Sequence, residues 1–258
     1  MSPAPLVVKY GGSTMTDATA RAGVARAIQQ ARAEGQGIVV VHGGGPAIGQ
    51  ALAAAGIPNE FVEGRRVTTD RALPVVEAAL TLLGKQLAQE IGDAVALTGR
   101  DANLLTAEVI DPTLGRVGHV TRVAASRLTG LQSIGLTPVI ACLALDAEGA
   151  ALNVNGDEAA GAVAGALEAP IVYLSDVPGV LDDPEQETSV LPRLTRGEAE
   201  SRMADGRIAG GMIPKVRSAL EALSQGASSA RIADGRSETT VQDALRGSGG
   251  TLVVPDEA

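Results

Sequence analysis

The chain has 258 residues, of which 45% are hydrophobic and 32 are glycine, and its formal net charge is −9. An acidic chain with one Phe, two Tyr and no Trp lacks the basic grooves and stacking rings of nucleic-acid-binding proteins. Its single cysteine, Cys142, excludes a disulfide framework or a cysteine-rich zinc site. Because no signal peptide and no apolar run of about 20 residues is visible, we expect a cytoplasmic protein with no membrane or nucleic-acid partner.

The first half of the chain alternates short apolar runs with longer amphipathic segments, which is typical of β-α-β units and a mostly parallel sheet. The pattern predicts strands over residues 6–9, 38–41, 94–97, 106–110 and 138–145. It predicts helices over residues of about 16–34, 70–90 and 124–134, and a further helix that begins at residue 46. Residues 57–69 are predicted to form an extended, hairpin-like segment. The apolar face of the long helix is interpreted either as a dimer surface or as a face buried on its own sheet. This face carries Leu73, Val76, Leu80, Leu83 and Leu87.

The second half continues the pattern without an internal repeat. Predicted strands are 171–174, 230–233 and 251–254, and predicted helices are 156–167, 195–205, 213–225 and 239–246. The polar segment 182–188 is predicted to be an exposed loop. Because no linker separates the halves, we expect an α/β protein with two lobes built on one continuous sheet.

Several common functional motifs are absent from the sequence. Gly84-Lys85 lacks the flanking residues of a phosphate-binding P-loop, and neither H-E-x-x-H nor G-x-S-x-G occurs. The two histidines, His42 and His119, are too few for a histidine-rich metal site. These absences argue against common nucleotide-loop, zinc-protease and serine-hydrolase chemistries.

Glycine pairs or triplets instead mark the ends of predicted strands or the starts of helices. They are Gly11-Gly12-Ser13, Gly43-Gly44-Gly45 and Gly210-Gly211. Backbone N–H groups at such points, aided by the helix dipole, form anion sites. The alternative for each is an ordinary tight turn.

Lysine is rare in this chain, which carries only Lys9, Lys85 and Lys215. Lys9 ends a predicted strand just before Gly11, and Lys215 begins a predicted helix after Gly211. A lysine ammonium is a compact charge that approaches a single oxygen closely. We therefore predict that Lys9 and Lys215 face one phosphate; the alternative is lysines solvated at element ends.

Two further polar clusters are candidates for ligand contacts. Asn153 and Asn155 share one face of an extended segment, and Asp157 follows at a helix start, where it either caps the helix or belongs to the site. One guanidinium of Arg65-Arg66 is suited to a carboxylate through two parallel bonds, although arginines are commonly exposed.

The chain resembles the N-acetylglutamate kinases of the amino-acid kinase family over residues 6–254. The resemblance rests on motifs in the same order, VVKYGGS (7–13), VVVHGGGPAIG (39–49), EGRRVTT (63–69), LTGRDANLLTA (97–107), LNVNGDEAA (152–160), YLSDVPGVLDD (173–183), IAGGMIPKV (208–216) and IADGR (232–236).

This resemblance implies a three-layer αβα sandwich whose residues 1–165 bind the amino-acid substrate and dimerise, and whose residues 166–258 bind ATP. It implies transfer of the ATP γ-phosphate to the side-chain carboxylate of N-acetyl-L-glutamate, the second step of arginine biosynthesis. Lys9 and Lys215 would hold the transferring phosphoryl group, and Asp157 would orient them. Substrate would contact Gly44, Gly45, Arg66, Asn153 and Asn155. ATP would contact Gly11, Gly12, Ser13, Asp176, Val177, Gly179, Val180, Leu181, Ile208, Gly210 and Gly211.

The chemistry agrees with this implication. A carboxylate is ionised at neutral pH, so the nucleophile needs no general base. No carboxylate cluster stands out as a metal site, so we expect Mg²⁺ to be held mainly by the nucleotide phosphates. The few aromatic rings predict that adenine is held by aliphatic side chains and backbone.

Three positions depart from the family pattern: Arg65 replaces an apolar residue, Gly156 an alanine, and Thr239 a frequent histidine. Arg65 leaves open which arginine binds substrate. No helix precedes the first strand in the predicted pattern, and in the family such a helix accompanies arginine-inhibited hexamers. By resemblance we expect a homodimer that arginine inhibits weakly or not at all.

Two alternative functions stay open at the level of sequence. One is a related kinase that phosphorylates aminoadipate or glutamate attached to an acidic carrier protein, which would need a basic docking surface that a net charge of −9 does not indicate. The other is a non-catalytic amino-acid sensor of the same fold, against which the intact Lys9, Asp157 and Lys215 argue.

Overall fold

A computed structural model describes residues 4–11, 13–15, 17–183 and 185–256. Within these residues the helices are α1 (Ala18–Ala33), α2 (Gly45–Ala54), α3 (Leu73–Ile91), α4 (Ala125–Ser133), α5 (Gly156–Ala166), α6 (Arg196–Ala204), α7 (Met212–Ser224) and α8 (Glu238–Leu245). The strands are β1 (Leu6–Tyr10), β2 (Ile38–His42), β3 (Phe61–Val62), β4 (Arg65–Arg66), β5 (Ala94–Thr98), β6 (Leu105–Val109), β7 (Val117–Val123), β8 (Thr137–Ala141), β9 (Leu143–Leu145), β10 (Ala151–Val154), β11 (Pro170–Ser175), β12 (Arg193–Thr195), β13 (Ser229–Asp234) and β14 (Thr251–Val254).

Eight strands form one sheet in the order β12-β14-β13-β11-β1-β2-β8-β5. Neighbouring strands are parallel except β13 and β14. The strands of the two halves of the chain meet where β1 pairs with β11, with Val7 opposite Ile171. The sheet is therefore continuous through both halves, as the sequence predicted.

The sheet separates two hydrophobic cores, because successive side chains of a strand point to opposite faces. Val7 of β1 belongs to the core formed with α5 and α7. Leu6 and Val8 belong to the core formed with α1, α3 and α8. This arrangement confirms the predicted layered α/β architecture with a mostly parallel central sheet.

A second, small sheet was not predicted. The strands β10, β7, β6 and β9 pair with one another in a closed ring beside the main sheet. Its formation divides the predicted strand 138–145 into Thr137–Ala141 of the main sheet and Leu143–Leu145 of the ring, with Cys142 between them. The prediction of one strand there was wrong.

The apolar face of α3 packs inside its own chain. Val76, Leu80 and Leu87 are fully buried, Leu83 is 6% exposed, and Leu73 packs against the core. The interpretation of this face as a dimer surface was therefore wrong, while the homodimer itself stays a prediction. Among the helices of the described residues, none combines the length and hydropathy needed to cross a membrane.

Candidate active site

The centre of the sheet positions the candidate active site. β1 has β2 on one side and β11 on the other, so the strand order reverses at β1. In open parallel sheets, ligands bind outside the carboxyl ends of the strands at such a reversal. Lys9 occupies the carboxyl end of β1, where it pairs in register with Val41 and Tyr173.

A buried ion pair forms at this point. The Lys9 Nζ lies 2.7 Å from Oδ1 of Asp157, and the two side chains are only 9% and 14% exposed. Burial alone raises the pKa of the Asp157 carboxyl, but the charges of Lys9 and Lys215 outweigh it, so this pKa lies below its usual value. Asp157 is therefore a buried carboxylate that faces two lysines.

Lys215 approaches the same carboxylate from α7, in the first turn of that helix. Burial and the charge of Lys9 lower the pKa of Lys215, while Asp157 and Asp176 oppose that shift. A cation at a helix N-terminus is also repelled by the helix dipole. Two lysines and a helix N-terminus therefore gather more positive charge than Asp157 neutralises, and this arrangement favours a bound anion.

Tyr173 joins the two helices that carry Asp157 and Lys215. Its buried hydroxyl lies 3.1 Å from the carbonyl oxygen of Ser218 in α7 and 3.5 Å from that of Asp157 in α5. The side chain comes from β11, directly beside Lys9 of β1. This contact was not predicted, and it ties β11 to the helix that carries Lys215.

A cavity of about 160 Å³ lies on one side of the ion pair. It brings together all five residues predicted to bind the amino-acid substrate, and it also contains residues that the sequence did not single out. The predicted ones are Gly44, Gly45, Arg66, Asn153 and Asn155; among the others are Phe61, Val117 and Cys142.

The two adjacent arginines have different environments. Arg65 binds both carboxylate oxygens of Glu158, at 3.0 and 2.5 Å. Arg66 is buried, stacks 4.6 Å from the centre of the Phe61 ring and donates one bond, of 3.2 Å, to the Gly45 carbonyl. Its Nη1 has no hydrogen-bond partner in the described part of the chain, which leaves Arg66 with a donor for a ligand. Burial lowers the pKa of the Arg66 guanidinium.

Thr68 connects Arg66 with Asn153, although it was not among the predicted site residues. The Asn153 Nδ2 donates to the Thr68 hydroxyl at 3.0 Å, and that hydroxyl donates to the Arg66 carbonyl at 2.9 Å. Thr68 lies two residues after Arg66, and this extended-chain spacing was the available signal.

Asn155 has a structural role that the sequence left open. Its Oδ1 accepts from the N–H groups of Asp157 and Glu158, at 2.8 and 3.2 Å. Asn155 is therefore the N-cap of α5, and the alternative of Asp157 as the cap was wrong. Asp157 is consequently free to face Lys9.

Glycines allow the backbone to lie close to the Lys9–Asp157 ion pair and to the smaller cavity. Gly44 is the N-cap of α2 and Gly45 its first residue, and the first N–H groups of a helix have no intrahelical partner. Gly11 is buried against Lys9, since a Cβ there would lie 2.8 Å from the Nζ. Gly11 therefore borders the ion pair, and Gly44 and Gly45 border the cavity.

A larger cavity, of about 500 Å³, lies on the other side and reaches Lys215. Its apolar lining comes from aliphatic side chains and methionine, with Asp176, Arg207 and Lys215 as charged groups. Predicted nucleotide residues that line it are Asp176, Val177, Gly179, Val180, Leu181, Ile208 and Gly211; the others are Ser175, Arg207, Ala209, Met212 and Lys215.

The remaining predicted nucleotide residues have other positions. Gly210 is exposed beside this cavity, with a φ of +54°, and does not line it. Ser13 begins a short 3₁₀ turn, Ser13–Met15. Gly12 lies outside the described residues.

The donor set around the ion pair does not form a metal cage. Among the described residues, no group of three or more His, Cys, Asp or Glu side chains is placed to hold a metal ion. Asp157 is already paired with Lys9. That Mg²⁺ is held mainly by the phosphate oxygens of the nucleotide stays a prediction.

Comparisons with known proteins show which sequences and folds this chain resembles. The model of the amino acid kinase family matches residues 4–234. An acetylglutamate kinase from Deinococcus radiodurans is 52% identical over 250 residues, covering 97% of this chain and all of its own. Another, from Thermus thermophilus, is 46% identical over 254 residues, covering 97% and 98%. The crystal structure of smu.665 from Streptococcus mutans has a TM-score of 0.82 at 28% identity, covering 96% of this chain and 98% of its own.

Proposed function

The chain belongs to the amino acid kinase family and is a kinase, and from this premise we propose that it transfers the γ-phosphate of ATP to the side-chain carboxylate of N-acetyl-L-glutamate. The products are ADP and N-acetyl-L-glutamyl 5-phosphate, an acyl phosphate. The names of its similar relatives support this acceptor. We further propose that the reaction serves arginine biosynthesis.

One observation carries the proposal: the Lys9–Asp157–Lys215 cluster lies between two cavities of different character. The smaller cavity offers Arg66 and the α2 N-terminus, which suit the carboxylates of an acyl amino acid. The larger one has an aliphatic lining and reaches Lys215, which suits a nucleotide whose phosphates point toward the cluster. A phosphoryl group that passes from one ligand to the other would pass the two lysines.

In this mechanism the acceptor carboxylate attacks the γ-phosphorus and ADP leaves from the opposite side. The carboxylate is already ionised, so no protein base removes a proton. The main task is to bring two anions together and to neutralise the charge on the transferring group. Lys9 and Lys215 supply that neutralisation, and Asp157 holds both ammonium groups in place.

Each ligand has its own binding groups in the proposed complex. Arg66 and Asn153 hold the α-carboxylate of the acceptor, while the N–H groups of Gly44 and Gly45 bind its other oxygens. The segments Asp176–Leu181 and Ile208–Gly211 border the nucleotide. Mg²⁺, carried by the phosphates, would supply further neutralisation of their charge.

We propose that residues 1–165 form the acceptor-binding lobe and residues 166–258 the nucleotide lobe. The meeting of their strands at β1 and β11 supports this division. A homodimer is proposed by resemblance, with residues 1–165 as the dimerising lobe and weak or absent inhibition by arginine.

The proposal is tested by ADP release in a coupled assay, with N-acetyl-L-glutamate, L-glutamate, L-aspartate and L-aminoadipate offered in parallel. We expect turnover with N-acetyl-L-glutamate to exceed that with each free amino acid by at least about 100-fold, since a site built for the acyl group leaves polar atoms unpaired without it. Preference for aspartate or free glutamate would reassign the acceptor. No turnover with any of the four would favour a carrier-bound acceptor or a sensor.

A further inference from the structure

His42 is a buried histidine that the proposed reaction does not use. It ends β2, directly before the Gly43–Gly45 segment, and it is fully buried. Its Nδ1 lies 3.0 Å from the carbonyl oxygen of Gly43. A carbonyl oxygen only accepts, so Nδ1 carries the proton and Nε2 carries a lone pair.

The other ring nitrogen has an unfavourable environment. Nε2 has no hydrogen-bond partner within the described part of the chain. It faces Gly84 of α3 so closely that a Cβ at Gly84 would lie 2.7 Å from it. Burial lowers the pKa of the imidazole to about 4, so the ring is neutral. An apolar side chain of similar size would avoid an unpaired buried acceptor, which suggests that the Nδ1 contact has a use besides packing.

The bond from His42 determines the direction of a neighbouring donor. Peptide bonds are planar and trans, and the described chain contains no cis peptide. The Gly43 carbonyl and the Gly44 N–H therefore belong to one plane and point in opposite directions. The Gly43 N–H is held as well, by the Tyr10 carbonyl at 3.1 Å. The peptide that carries the Gly44 N–H is thus held at its carbonyl by His42, and the peptide before it is held by Tyr10.

We propose that His42 is a positioning residue, which holds the Gly43 carbonyl so that the Gly44 N–H points into the acceptor cavity. This inference rests on the proposed function only for the identity of the acceptor. The proposed geometry of residues 43–45 does not depend on that function. The absence of a side chain at Gly84 belongs to the same arrangement, because it leaves room for the ring.

The first test concerns the ring itself and requires no activity. The chain has two histidines, so ¹⁵N-histidine spectra contain two imidazoles, and His119→Gln assigns them. We expect His42 to show the neutral Nδ1–H form from pH 5.5 to 8. A dominant Nε2–H form, or protonation within this range, would overturn the proposal.

The second test separates positioning from packing by substitution at His42. His42→Leu removes the donor, whereas His42→Asn keeps an N–H group near the position of Nδ1. We expect His42→Leu to raise the KM for N-acetyl-L-glutamate about tenfold or more, with the KM for ATP unchanged, and His42→Asn to raise it about threefold or less. Hydrogen exchange of residues 42–45 in the ligand-free enzyme should rise in His42→Leu alone.

Gly84 allows a compensation test. Gly84→Ala should push the ring from its place and raise the same KM, but in the His42→Asn background the new methyl group fills vacated space and should have little further effect. Val40→Ala, on the same face of β2, controls for lost stability and should lower the Tm without changing either KM. Equal effects of His42→Leu and His42→Asn on exchange and KM would refute the proposal, whereas absent turnover of the wild type would refute only the proposed function.

Discussion

Both oxygens of the Glu158 carboxylate are bound by the guanidinium of Arg65, at 3.0 and 2.5 Å. The pair joins β4, which carries Arg66, to α5, which carries Asp157. It is about three-quarters buried, so water screens it less than a surface pair. Arg65 therefore connects the β3–β4 hairpin to the helix that carries Asp157.

Loss of this connection should weaken acceptor binding more than it slows the chemical step. In Arg65→Leu or Glu158→Gln, the hairpin is no longer held against α5, and Arg66 loses its fixed position. We expect the KM for N-acetyl-L-glutamate to rise about three- to tenfold, with kcat within about twofold. Steady-state kinetics of both single variants and of the double variant measure this effect.

An exposed ion pair elsewhere provides the matched control. Arg26 and Glu238 lie 2.7 Å apart with side chains 55% and 36% exposed, and Arg26→Leu should leave both kinetic constants unchanged. The effects of the two substitutions in the Arg65–Glu158 pair should not add. Additive effects, or a fall in kcat alone, would contradict a positioning role for the pair.

Thr68 is expected to matter through its hydroxyl group. Thr68→Val keeps the shape but leaves the buried Asn153 amide without its acceptor, so we expect a loss of about 1–3 kcal/mol in the free energy of unfolding. The KM for the acceptor should rise as well, because Asn153 and Arg66 lose their link. Thr68→Ser retains the hydroxyl and should behave as the wild type. Denaturant unfolding and acceptor titration check both effects, and equal behaviour of the Val and Ser variants would count against this role.

Cys142 provides a chemical probe of the acceptor cavity. Burial raises the pKa of this thiol to about 11 from an ordinary value of 9.0, so the reactive thiolate is about 100-fold rarer than in the unfolded chain at pH 8. We expect a disulfide reagent to react at least that much more slowly with the folded protein. N-acetyl-L-glutamate should slow the reaction further, and Arg65→Leu should speed it. Labelling as fast as in guanidinium would contradict the closed cavity.

Sequence patterns predicted the central sheet well, because its strands are apolar runs separated by amphipathic helices. The small ring of strands escaped prediction for two physical reasons. Residues 138–145 are continuously apolar, so no polar residue marks the change of sheet at Cys142. Val117–Val123 alternates only partly between buried and exposed positions, so its sequence has a weak two-residue period.

The candidate site shows a similar division. Lys9 and Lys215 were selected because they are rare lysines at the ends of predicted elements beside glycine pairs. Asp157 was selected because it follows two asparagines at a predicted helix start. Residues that act through contacts distant in sequence were missed, since Thr68 and Asn153 are 85 positions apart. The fixed partner of Arg65, Glu158, was missed for the same reason, and only the folded chain distinguishes the two arginines.

The two site lysines should differ sharply from the third lysine of the chain. Lys9→Arg and Lys215→Ala should each lower kcat by at least about 100-fold. The reason is that each substitution misplaces or removes a positive charge that is positioned for the transferring phosphoryl group. Lys85→Ala is the matched control, because Lys85 is exposed on α3 and should be dispensable. Single-turnover ADP formation with saturating ligands measures the effect. Turnover within about tenfold of the wild type in either site variant would show that the charge does not serve the transfer step.

Lys215 should also set the basic limit of activity. Its pKa lies below the ordinary lysine value of 10.5, through burial and the charge of Lys9, so kcat should fall with rising pH earlier than an ordinary lysine would allow. The Asp157 carboxylate opposes this shift, and Asp157→Asn should therefore move the basic limb of the residual activity to still lower pH. Lys215→Arg should move it upward, since a guanidinium keeps its proton. The kcat–pH profiles, with circular dichroism to verify folding at each pH, test these signs; a limb at one pH in all three proteins would assign it to another group.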